Sequence, residues 1–192
     1  MLTRSTPADV MTSTEPFLHC CETWHVLAKA GTILSNRPKE PETWEAIRQM
    51  QSQLLAPLEE HYGVVTLTYG FAGPELLKAV KLRALEGEWL PNISPIGDQH
   101  AGHERNQRGN RICKRDGIAV DLRVPGHSSE DVANWVIETL PFDRIYLYGG
   151  DKPFHLSWSP EPIGQVIRMK LTERGFLYPR VERRGAPPPA EK

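Results

Sequence analysis

The chain has 192 residues, 39% of them hydrophobic and 24% charged, which is long enough to bury one substantial core and short for two. Its 23 basic and 24 acidic residues leave a formal charge of −1, so the whole chain has no electrostatic pull towards nucleic acid or anionic membrane, and any basic surface must be local. No apolar run approaches the roughly 18 residues that span a bilayer, and residues 1–15 lack the apolar stretch of a secretory signal, so the expectation is a cytoplasmic protein without membrane contact.

The three cysteines are an odd number without CxxC spacing, and the adjacent Cys20 and Cys21 are poorly placed to bridge each other; reduced thiols are expected. Residues 1–14, rich in Ser, Thr and Pro, and residues 181–192, rich in Gly, Pro and charge, read as tails around one folded unit over 15–180.

Within that unit, Phe17, Leu18, Cys21, Trp24, Leu27 and Ala28 recur at helical spacing up to Gly31. A second helix starts near Pro41 and Thr43, carries Trp44, Ile47, Met50, Leu54 and Leu58 on one face, and is kinked at Pro57. Residues 64–68 are β-branched and apolar, which predicts a buried strand, and 75–85 return to helical spacing. Residues 87–117 are dominated by Pro, Gly, Asn, Asp and Arg, longer than the ceiling of about 15 residues for a passive connection. A strand over 117–124 follows, then a helix over 129–140 opened by Ser128 and Asp131, and two closing strands over 143–148 and 154–158. Helices cluster before the strands, which is an α+β order; the expected architecture is a small, mostly antiparallel sheet with helices packed on one face and a site on the other.

Two of the seven histidines stand out: His155, inside the last strand, and His100, at the edge of the long loop. Asp121 is the third group, because an unpaired carboxylate in the apolar strand Ile118-Ala119-Val120-Asp121-Leu122 is expensive to bury and a cation removes that cost. Two imidazoles and one carboxylate leave the fourth position of a tetrahedral zinc open, the arrangement that ionises water near neutral pH. Each has a plainer reading: a hydrogen-bonded strand histidine for His155, a pair with Arg123 for Asp121, and a solvated loop residue for His100, with His103 as its competitor. Arg105, Arg108, Arg111 and Arg115 crowd the loop, and guanidinium forks suit carboxylate or phosphate oxygens, so an anionic ligand is expected there and nucleic acid is kept open as a partner.

The order of phrases carries a resemblance. Leu55-Ala56-Pro57-Leu58-Glu59-Glu60-His61-Tyr62-Gly63 is followed by the turn Gly70-Phe71-Ala72-Gly73-Pro74, then Asp98-Gln99-His100, Gly117-Ile118-Ala119-Val120-Asp121 and Phe154-His155-Leu156-Ser157. From about residue 44 to 158 this resembles the zinc D-alanyl-D-alanine carboxypeptidases and related phage endopeptidases, which share a fold with the hedgehog signalling domain. The resemblance implies zinc held by His100, Asp121 and His155, and hydrolysis of an amide in a short or peptidoglycan-type peptide. An insertion over 101–116 splits the ligand phrase, Ala72 stands where the family has an arginine, and Tyr148 stands nearest its catalytic acid. Asp151 and Glu104 are therefore the candidate proton acceptors, and Tyr148 a candidate donor to a developing oxyanion. The rival reading keeps the fold as a non-catalytic metal module whose arginine loop binds an anionic ligand, nucleic acid or protein.

Overall fold

The computed structural model describes residues 17–18, 35–85, 99–173 and 177–183. Of the expected first helix, only Phe17 and Leu18 are described, both buried in the core; the rest of it, the tail over 1–14 and residues 86–98 of the long loop lie outside the described residues.

The second helix divides into α1 (Pro41–Met50), a π-helical turn (Gln51–Leu55) and α2 (Ala56–Tyr62). Pro57 has no N–H and its ring crowds the carbonyl four residues back, so the expected kink takes the form of a widened turn just before it. That turn holds Gln53 where its side-chain oxygen accepts from Trp158 Nε1 at 3.1 Å. After Gly63, at φ +83°, the chain enters β1 (Thr66–Tyr69), followed by α3 (Pro74–Leu85). A 3-10 turn (Gln99–Ala101) precedes β2 (Ile118–Arg123), α4 (Ser129–Thr139), β3 (Arg144–Leu147) and β4 (Phe154–Trp158). Ser128 caps α4 by accepting from Asp131 N at 3.1 Å, as its sequence signature predicts.

Two further strands correct the expectation that β4 closes the pattern: β5 (Gln165–Leu171) and β6 (Leu177–Arg183), the latter reaching into the stretch whose composition reads as a tail. The described residues thus form a mixed α/β unit around a six-stranded sheet of order β1-β2-β4-β3-β5-β6. Every neighbouring pair is antiparallel except β3 with β5.

Strand alternation gives the sheet two different faces. Ile118, Val120, Leu122, Ile145, Leu147, Phe154 and Leu156 belong to the main core with Ile47, Met50, Leu54 and Leu58 of the α1–α2 segment and Val132 and Val136 of α4. Each such side chain, fully buried, contributes about 1.5–3 kcal/mol relative to exposure. The helices do not all share that layer: Leu76 and Leu77 of α3 cluster instead with Tyr69, Ala72 and Ala101, beside the turn that carries His100. Asp121, His155 and Tyr146 alternate with the core residues and so occupy the opposite face.

Candidate metal centre

Asp121 and His155 are directly opposed in the β2–β4 register, so the sheet itself sets their spacing. His155 Nδ1 lies 3.0 Å from Asp121 Oδ1. His100 arrives from the 3-10 turn above β2, its Nε2 3.2 Å from His155 Nδ1 and 3.3 Å from Asp121 Oδ1. These three atoms form a triangle whose edges match the donor separation of about 3.3 Å expected on one face of a tetrahedral zinc site. Together the three residues can hold a metal ion.

The surroundings favour that use. His100 is 1% exposed, and its Nδ1 lies 2.9 Å from the carbonyl of Gly70. Donating there leaves Nε2 as the nitrogen turned to the ionised oxygen of Asp121, where a proton on Nε2 pairs the two groups in the metal-free chain and a metal ion can take that proton's place. Burial by itself would push the Asp121 carboxyl up; the charge and hydrogen bond of His100, then the hydrogen bond and charge of His155, outweigh it and hold the group well below the usual carboxylate range. The Tyr69 ring lies 4.0 Å from that of His100, and the Tyr146 ring stands edge-on to His155 at 5.1 Å, so both imidazoles are walled by aromatics. The enclosure is incomplete: the Asp121 side chain keeps 19% of its exposure and His155 10%.

The plainer pairing of Asp121 with Arg123 does not occur; Arg123 is exposed and the carboxylate turns to the histidines. His103 stands apart from the triangle, its Nε2 accepting from Gly117 N at 3.3 Å. Glu104 is buried, and its Oε1 accepts from Lys39 N, Glu40 N and Thr43 Oγ1 at 3.0–3.1 Å. That carboxylate pins the entrance of α1, where negative charge also suits the helix dipole. Asp151 is exposed in the turn between β3 and β4, and Tyr148, partly buried, directly precedes that turn.

The loop arginines have internal partners. Arg111 binds Asp116 and the carbonyl of Arg115. Arg115 binds Asp143 through two nitrogens and also donates to the carbonyl of Glu161. Arg105 donates to the carbonyl of Gly109 at 3.0 Å and lies 3.7 Å from Glu40, while Arg108 is exposed.

Asp143 is the residue that sequence reasoning passed over. Fully buried, it takes hydrogen bonds from Arg115, from Gln99 Nε2 at 3.2 Å, from Ser157 Oγ at 3.4 Å and from Ile163 N at 3.1 Å. It therefore ties the residue before His100, the insertion and the strand of His155 to one point. A strand-leading aspartate after Pro141-Phe142 gives no local sign of such a role.

Comparison of the chain with protein-family models, with curated proteins and with solved structures finds no match.

Proposed function

We propose that the chain is a zinc-dependent hydrolase of the hedgehog/DD-peptidase type, acting on an amide bond in a short or peptidoglycan-type peptide. The observation that carries this reading is the triangle of His100 Nε2, Asp121 Oδ1 and His155 Nδ1, three donors with room for a fourth ligand on a partly exposed edge. When bound there, zinc supplies a Lewis acid that polarises a carbonyl and lowers the pKa of water towards neutrality. Gly70 holds the tautomer of His100, and the β2–β4 register holds Asp121 against His155. Because Glu104 is committed to the start of α1, the role of proton acceptor falls to Asp151, exposed in the turn that leads into β4. Tyr148, at the start of that turn, is the companion donor.

The test is hydrolysis of dipeptide and muropeptide panels by zinc-loaded protein. Zinc-dependent cleavage that is lost in Asp151→Asn while zinc stays bound supports the reading. A second reading, a metal module without catalysis, is favoured by the internal use of Glu104, Arg111 and Arg115. Stoichiometric zinc with no cleavage of any panel member would select it.

A further inference from the structure

Strand β3 alternates cleanly: Ile145 and Leu147 enter the core, and Arg144 and Tyr146 take the face that carries Asp121 and His155. Tyr146 is opposite His155 and Arg144 is opposite Ser157, which makes Arg144 the diagonal neighbour of His155. Such positions lie about 7–8 Å apart, within reach of a long side chain.

The Arg144 guanidinium is in an unusual state for this molecule. Its Nε is buried without a hydrogen-bond partner, and among the described residues the side chain makes no ion pair or hydrogen bond. Arg111 and Arg115, by contrast, are bound to Asp116 and Asp143. The acid beside Arg144 in sequence, Asp143, is already neutralised by Arg115, and Asp121 faces the histidines. A partly buried guanidinium with no acceptor is costly unless a ligand supplies one, and its fork of donors matches a carboxylate.

We propose that Arg144 is the specificity-determining residue of the site, binding the free carboxylate of a substrate whose scissile carbonyl lies at the His100–Asp121–His155 triangle. The assignment rests on the hydrolase reading. A cation carried on that face by the diagonal neighbour of His155 suits an anion about one residue away from the bond that breaks. That is the position of the terminal carboxylate in a dipeptide or at a peptide's C-terminal end.

Calorimetric titration of the full-length, zinc-loaded chain with a phosphinate analogue of D-alanyl-D-alanine, and with the C-terminal amide of that analogue, tests it. Wild type should bind the acid at least about tenfold tighter than the amide, the scale of a charge-assisted hydrogen bond. Arg144→Gln should remove the preference while keeping one zinc per chain and the amide's affinity, and Arg144→Lys should retain part of it. Equal affinity of wild type for the two probes, no binding of either probe to the zinc form, or a preference that survives in Arg144→Gln overturns the assignment and leaves the metal centre standing. A wild-type chain that takes up no zinc overturns the hydrolase reading and this assignment together.

Discussion

Glu104 and Asp143 are both fully buried carboxylates, and each is balanced by a different set of donors, backbone and hydroxyl groups for the first and a guanidinium fork for the second. Glu104→Ala should lower unfolding free energy in urea by about 1–3 kcal/mol by leaving its donors unpaired, with zinc stoichiometry unchanged. Asp143→Ala breaks a largely buried ion pair and should cost more, about 3–5 kcal/mol, and it should weaken zinc binding as well because Gln99 and His100 lose their anchor. Asp121 behaves differently with pH. Its folded value is depressed, so its contribution to the metal-free protein is present above the unfolded value of about 4 and is lost as pH falls through the folded one. Metal-free wild type should therefore lose more stability between pH 5 and pH 2 than Asp121→Asn does, as read by denaturant midpoints. The prominence of Asp121 and His155 was legible in the sequence because a polar residue in an apolar strand stands out by alternation alone. The destinations of Glu104 and Arg115 were not, because their partners lie about 60 and 28 residues away and no local pattern marks them.

Strands and helices were legible where one period dominates. The cap at Ser128, the helix after Pro74 and the strand over 154–158 fall where the sequence places them. Ser128→Ala should cost about 1 kcal/mol in thermal or urea unfolding, the usual worth of such a cap. Strand β5 was missed although Ile167, Met169 and Leu171 alternate with Arg168 and Lys170, a period-two signal. Strand β6 is less legible, since Pro179 argues against a strand except at the edge of a sheet, which is where it lies. The π turn before Pro57 has no sequence signature beyond the proline itself. The most sensitive junction is the entry to β2: Gly117 has φ +96°, and a Cβ there would meet the carbonyl oxygen of Trp158 at 1.8 Å. Gly117→Ala should prevent β2 from seating against β4, giving a protein that fails to fold cooperatively by circular dichroism and loses its metal.

At the scale of the molecule, one sheet does two jobs through its two faces. The face packed by the α1–α2 segment and α4 makes the core, and the other presents Asp121 and His155 directly opposite each other on neighbouring strands. The third metal-binding candidate comes from a long connection that is docked by Glu104 at one point and by Arg115 and Gln99 on Asp143 at another. Composition identified that connection as too long to be passive, but its role in carrying His100 to the sheet depends on contacts distant in sequence. No helix among the described residues is long and apolar enough to cross a membrane. A metal centre here requires that His100, Asp121 and His155 grip one cation, and elemental analysis of purified full-length protein measures this directly. One zinc per chain is predicted in wild type and Glu104→Gln, falling to a small fraction in His155→Ala and Asp121→Ala variants that remain folded. Folded wild type that stays metal-free after exposure to zinc, or full zinc content retained in both ligand variants, would contradict it.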